Sequence, residues 1–526
     1  MRPKPSEPRL PDAPIQGAWL HPWHVLVLGA VVPLTVAVLL YRWDVPLGCP
    51  GRFVYPYSPL VDHRIGPACL AVLIGLFLGG GTWLVAASSV AGRRSGFVAV
   101  GLGTAALAAW SYFAPPDHYN QYVFNAHSPS QDGAFVQEAG RVQSIRTYLA
   151  DFPARARTPP QQMRGTRVVS NPPGATLLAV ALDGLLQRWP GLEEFLTRPL
   201  RAAMSPDAAP GVEFDAVRST TARGLVFFGV LTALWALAAA PLYLAARLLL
   251  PPTAAVACAL CSVFTPATLL LTPGKDPAQL LSVGVPLLFW LLAWRRGALW
   301  AAALAGVTFV LAGLVSLVHV WIGAIVVGAT LLSTFGSWPE LRAALLRVLL
   351  PAAAFVIVTC ATLYLLLNLN VVATVRAVAA AQREVTRGPQ AMPLVWQLLG
   401  LPLFLLFAGP ALWTAVGWVV ARRPATSDPR DAAARFGRGL VWLTLIVLLA
   451  TVSFTNVETP RLWIPFAPLL LLGLLLQLPA LRSATRGGVR LMTVLVVVQI
   501  VCAAAQWSLM DMRETETRLL EGRFYH

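Results

Sequence analysis

Apolar runs of about 20 residues alternate with short polar loops along this chain, which is the pattern of helices that cross a bilayer. Thirteen such segments can be drawn: 23–41, 66–88, 97–114, 224–246, 253–271, 278–294, 299–315, 318–335, 347–367, 393–420, 439–454, 462–481 and 491–508. With the N-terminus inside, arginines fall in the loops of one side: Arg93-Arg94, Arg247, Arg295-Arg296, Arg342 with Arg347, Arg422 through Arg438, and Arg482 through Arg490. Cytoplasmic loops carry such an excess of basic residues. The pattern predicts an all-α polytopic integral membrane protein with about 13 transmembrane helices. Residues 1–22 form a cytoplasmic N-terminal segment, 23–508 the transmembrane domain and 509–526 an external tail.

One stretch decides the sidedness. Residues 171–187 are apolar, but they are short and carry Asp183. If they crossed, every later loop would change sides and the arginine pattern would be lost. They are therefore expected on or partly in the outer leaflet, as an interfacial or re-entrant helix. Residues 115–223 then form one large external loop.

Composition agrees with this class. The chain of 526 residues is 57% hydrophobic and 12% charged, with mean hydropathy +0.65, whereas soluble domains carry roughly 25% charged residues. The net charge of +16 lies largely in the short inside loops, so it does not indicate nucleic acid. Lysine is almost unused: Lys4 and Lys275 are two among 40 basic residues. This arginine and alanine bias fits a bacterial coding sequence, and so a bacterial cytoplasmic membrane. Of six cysteines, Cys258 and Cys261 form a C-x-x-C inside an apolar span, where they are expected to pack as small apolar residues. No metal-ligand spacing stands out, so a divalent ion is compatible with the sequence but not supported by it.

Four polar clusters fall on the side opposite the arginines. The first is Gln131-Asp132-Gly133, followed by Glu138. Asp132 reads as the N-cap of a short helix or as a carboxylate able to take a proton from an acceptor hydroxyl, and Glu138 is a second catalytic candidate. The next, Ser170-Asn171-Pro172-Pro173-Gly174, is a rigid entry into a helix that would hold Asn171 toward a bound substrate. In the turn Gly274-Lys275-Asp276-Pro277, Lys275 is either an interfacial lysine that snorkels or a phosphate-binding cation, and Asp276 stands beside it. Glu458-Thr459-Pro460-Arg461 adds a carboxylate and a guanidinium, whose fork of donors suits phosphate. His319 near the outer end of its span either joins this set or simply packs.

These motifs in this order resemble the GT-C glycosyltransferases, and in particular bacterial relatives of protein O-mannosyltransferases and aminoarabinose transferases. The resemblance spans roughly residues 115–475. It rests on the external acidic helix, Asn171-Pro172-Pro173-Gly174 with Leu177-Leu178, the basic turn with Asp276-Pro277, and Glu458-x-Pro460-Arg461-Leu462-Trp463. Where the family often has T-H-P-P-G, this chain has Asn171, which cannot titrate. It also carries two spans, 66–88 and 97–114, ahead of the catalytic-type loop. The resemblance implies a polyprenyl-phosphate-linked sugar as donor and an external glycan, lipid or protein as acceptor. It also implies inversion at the anomeric carbon, Asp132 as base, and Lys275 with Arg461 on the donor phosphate. Asn171, Asp276, Glu458 and His319 would line the substrate. The competing classes are a transporter or lipid flippase, which would carry ionisable groups near mid-bilayer, and a non-catalytic scaffold of the same fold.

Overall fold

The computed structural model describes residues 21–49, 53–55, a few positions between 100 and 128, 131–158, 167–203, 212–387, 398–421, 431–452, 459–478 and 486–509. In chain order the helices are α1 (Pro22–Arg42), α2 (Gly133–Ala139), α3 (Ile145–Arg155), α4 (Gly174–Arg188), α5 (Pro190–Ala203), α6 (Val212–Leu237) and α7 (Ala239–Arg247). There follow α8 (Pro252–Val263), α9 (Pro266–Leu270), α10 (Lys275–Arg296), α11 (Leu299–Val315), α12 (Val318–Thr334) and α13 (Trp338–Ala344), which runs through a π turn into α14 (Leu350–Leu367). The remainder are α15 (Val371–Arg387), α16 (Gly400–Ala408), α17 (Pro410–Ala421), α18 (Ala432–Thr451), α19 (Thr459–Leu462), α20 (Ala467–Leu476) and α21 (Arg486–Leu509). A short antiparallel ribbon, β1 (Leu47–Cys49) on β2 (Phe53–Tyr55), is the departure from the all-helical expectation.

Among the described residues, seven helical stretches are long and apolar enough to cross a membrane: Pro22–Arg42, Val217–Arg247, Pro252–Leu270, Lys275–Arg296, Trp338–Leu367, Ala432–Thr451 and Gly487–Leu509. The chain is thus a multi-pass helical membrane protein by length and composition. Leu299–Val315, Val318–Thr334 and Ile464–Leu476 are apolar but shorter. The segment 66–88, most of 97–114, and both termini expected in the sequence lie outside the described residues.

The centre of the bundle is the α8–α9 stretch, buried throughout. Its alanines and small cysteines let neighbours approach closely, as small residues do in membrane helix packing. Cys258 and Cys261 are buried there as free thiols. By contrast, α13–α14 carries outward-facing Leu350, Ile357, Val358 and Leu365, an apolar surface suited to lipid.

Two helix breaks lie within this apolar interior. Between α8 and α9, Pro266 cannot continue the ladder, and Thr265 restarts the helix through a capping box with Thr268. Between α16 and α17, which the sequence presented as the single span 393–420, the axis turns by 105° at Gly409. The backbone there takes φ +85°, a conformation that favours glycine, and Pro410 follows. Backbone groups freed inside a bilayer must find partners within the protein. The buried amide of Gln499 on α21 supplies them for both breaks. Its Oε1 accepts from Ala411 N–H at 2.8 Å. Its Nε2 donates to Phe264 O at 2.8 Å and Ala408 O at 3.1 Å.

Helices α2 to α5 form a layer over the end of the bundle where α10 begins and α11 finishes. Three ion pairs tie the layer together and down: Arg223–Asp183 at 2.7 Å, Arg218–Glu193 at 3.4 Å, and Arg155 with Glu138. The start of α4 sits so close to α11 that a β-carbon at Gly174 would collide with the Leu314 carbonyl. At 15 residues, α4 is about 22 Å long, short of the ~30 Å hydrocarbon core.

Candidate active site

The site is organised by the first turn of α10. A helix start leaves backbone N–H groups without partners, and here the N-cap position is Gly274, which has no side chain to offer. Asp132 serves instead from across the fold: its Oδ2 accepts from Lys275 N–H at 2.5 Å. A β-carbon at position 274 would lie 3.3 Å from that oxygen and 2.5 Å from Leu271 O, so glycine keeps the approach open. The expectation that Asp132 caps its own helix is corrected by this arrangement, since its side chain makes no cap to α2. A buried N-terminus of a 22-residue helix presents a larger aligned dipole to the carboxylate than the seven-residue α2 does.

Around this contact five ionisable side chains meet in a nearly dry space. Arg167 reaches from the turn before α4, with one guanidinium nitrogen 3.2 Å from Asp132 Oδ1 and the other 3.6 Å from Asp276 Oδ2. Arg461, on α19, places Nε 3.2 Å from Asp276 Oδ2. Lys275 Nζ donates to Asn171 Oδ1, lies 3.8 Å from Asp276 Oδ1, and sits 5.7 Å over the Phe135 ring. Gln279, one turn along α10, donates to Asp276 Oδ1 at 2.7 Å. Asn171 is itself held by its Nδ2, which donates to Arg167 O at 2.8 Å. Three basic side chains face two acidic ones, one basic group more than the carboxyl groups can pair.

The structure therefore brings together Asp132, Asn171, Lys275, Asp276 and Arg461, drawn from four separate stretches. It corrects the snorkelling alternative for Lys275, which is 2% exposed and turned inward to Asn171. Glu138 is placed differently. Its carboxylate is buried against Arg155 and lies 3.7 Å from Arg141, which makes it a tie between α2 and α3. His319 sits alongside α10: Nε2 meets Ser282 Oγ at 2.8 Å and Nδ1 meets Ser316 O at 3.1 Å. Glu458 lies outside the described residues. Among those residues, no group of three or more side chains is arranged to hold a metal ion.

Arg167 is the member that the sequence did not single out, and it is the one that bridges both carboxylates. Its one sequence signal is position, four residues ahead of Asn171 in the same turn. Arg167 Nε is buried without a hydrogen-bond partner, a donor still open in a site otherwise rich in pairs.

His127, five residues ahead of Asp132, is tied into the fold: its Nε2 shares a hydrogen bond with Thr221 Oγ1 at 2.9 Å, while its carbonyl accepts from Gln137 Nε2 at 3.0 Å. Burial lowers the His127 pKa below its ordinary 6.5, so the imidazole is neutral in the fold. The unfolded state takes up the proton first as pH falls. Stability from this group is complete above pH 6.5 and is lost between 6.5 and the lower folded value. Thermal unfolding followed from pH 8 to pH 5 is expected to show a midpoint that falls below pH 6.5, and His127→Asn is expected to flatten that dependence.

No protein-family model matches this chain, and neither curated proteins nor solved structures give a match.

Proposed function

We propose that this protein is a membrane-embedded glycosyltransferase of GT-C type that moves a sugar from a polyprenyl-phosphate-linked donor to an acceptor on the outer face of a bacterial cytoplasmic membrane. The observation that carries this reading is the buried cluster of Asp132, Arg167, Lys275, Asp276 and Arg461, with one more basic than acidic side chain. Burying several charges is costly unless they are well paired, and hydrophobic residues would hold the helices together at less cost. An excess cation with an open Arg167 donor suits an anionic ligand such as a lipid phosphate.

Sidedness supports the outer face. The cluster sits at the start of α10 and Arg295-Arg296 at its end. Twenty-two residues span about 33 Å, close to the thickness of a hydrocarbon core. With the arginine turn inside, the cluster would open outside and α2 to α5 would belong to the external loop 115–223 that the thirteen-span reading expects.

In the proposed reaction, the acceptor hydroxyl oxygen attacks the anomeric carbon from the face opposite the phosphate. Asp132 takes the hydroxyl proton as the carbon–oxygen bond to phosphate breaks. The electron pair leaves on the phosphate oxygen, and Lys275, Arg167 and Arg461 stabilise the charge that develops there. The products are an inverted glycoside and a polyprenyl phosphate. A non-catalytic scaffold is the second reading, favoured by the Arg167 ion pair and the Lys275 backbone N–H that already engage the two Asp132 oxygens.

A transfer assay separates the two readings. Right-side-out membrane vesicles carrying the protein are expected to move radiolabelled sugar from polyprenyl-phosphate donors onto externally accessible acceptors. Lys275→Met is expected to lower the rate by about 10²–10³-fold, the loss typical of removing one charge-stabilising donor. Equal transfer by vesicles with and without the protein would reject the enzyme reading.

A further inference from the structure

We propose that Asp276 is a displaceable counter-ion that occupies the anion site of the empty protein, and that ligand phosphate takes over its partners on binding. The proposal rests on the cluster being an anion site, as argued above, and adds how that site is kept closed until used.

The contacts of Asp276 are those expected of a bound anion. Its Oδ2 lies between Arg461 Nε at 3.2 Å and an Arg167 guanidinium nitrogen at 3.6 Å. Its Oδ1 faces Lys275 Nζ at 3.8 Å and Gln279 Nε2 at 2.7 Å. All three cations of the cluster thus converge on this one carboxylate. Among the described residues, Asp132 is ion-paired with Arg167 alone and otherwise spends an oxygen on the Lys275 backbone N–H. The two carboxylates therefore differ in kind: Asp132 is anchored to a helix terminus, whereas Asp276 is held by side chains that could turn to another anion.

Asp276 would keep a favourable electrostatic setting if it turned away. It is in the first turn of α10, where the helix dipole favours a negative charge, so a swing away from the arginines does not strand it. Its departure would leave the three cations facing a phosphate group with Asp132 still fixed, and the open Arg167 Nε would gain an acceptor. Closure of the empty site by its own carboxylate also avoids leaving three cations buried without a counter-charge, which would be costly.

The test is anion binding to the purified full-length protein in detergent, by calorimetry, with farnesyl phosphate and inorganic phosphate as probes and farnesol as the uncharged control. Asp276→Asn keeps the shape and removes the competing charge. It is expected to bind farnesyl phosphate at least about tenfold more tightly than the unaltered protein, while farnesol binding stays the same. Gln279→Leu leaves every charge in place but removes the hydrogen bond that holds Asp276 Oδ1, and it is expected to tighten binding about threefold. It provides the same test should Asp276→Asn fold poorly. A gain shared by inorganic phosphate assigns the effect to the phosphate group alone. A gain confined to farnesyl phosphate assigns it to a lipid-borne phosphate.

If the unaltered protein binds farnesyl phosphate and both variants bind it equally or more weakly, Asp276 is a fixed part of the site and the counter-ion proposal falls, while the anion site stands. If neither the unaltered protein nor either variant binds either phosphate, the anion-site reading itself falls, and the proposal with it.

Discussion

Asparagine at position 132 is expected to abolish transfer while leaving the protein folded. The substitution keeps an oxygen that can accept from Lys275 N–H, so the cap on α10 survives, but an amide cannot take the acceptor proton. Loss of a positioned general base costs about 10²–10⁴-fold in rate, and on the proposed mechanism this is the largest single-residue effect in the site. The same change leaves three cations facing Asp276 alone, so binding of an anionic donor is expected to hold or strengthen. A fall in turnover with retained donor binding, measured on one preparation, is the expected signature. A parallel fall in both would instead mean that Asp132 acts by holding the cluster together.

The second large effect falls on stability. Gln499→Leu keeps the apolar volume of the buried position but removes one acceptor and one donor group. Ala411 N–H, Phe264 O and Ala408 O would each lose a partner at helix breaks in the interior of the bundle. A buried polar group left unpaired costs about 1–3 kcal/mol, and no water reaches such a position in a bilayer. The combined loss is expected to be about 3 kcal/mol or more, read as a lower unfolding midpoint in detergent and reduced yield from membranes. An unchanged midpoint would mean that the breaks at Phe264–Thr265 and at Gly409 are satisfied without Gln499.

These two residues show what was legible in the sequence and what was not. Asp132, Lys275 and Asp276 stood out because a polar residue in a 57% hydrophobic chain needs a reason to be there, and proline and glycine beside them marked fixed turns. The side expected for them came from the arginine loops. What each side chain touches could not be read. Asp132 precedes a short helix, and the local signal is a cap on that helix. Its actual partner is 143 positions away in the chain.

Arg167 was hidden by its residue type, one basic side chain among 40. Glu138 shared the acidic character of Asp132 and its short helix. Only the fold shows that Arg155, 17 residues on, claims its carboxylate. Gln499 carries no signal of its own in the sequence, because its role depends on two breaks in other helices. One of those breaks was itself invisible: the stretch 393–420 is almost entirely apolar and carries a Gly409-Pro410 step that hydropathy alone passes over.

The most direct measurement follows the phosphorus atom of the donor. Purified protein in liposomes is given lipid-linked sugars together with membrane acceptors, and phosphorus-31 resonance records conversion of the polyprenyl phosphodiester to the monoester. The proposed function predicts steady conversion by the unaltered protein and a rate at least about a hundredfold lower for Asp132→Asn. Conversion at the same rate by both proteins, or by neither, would contradict it.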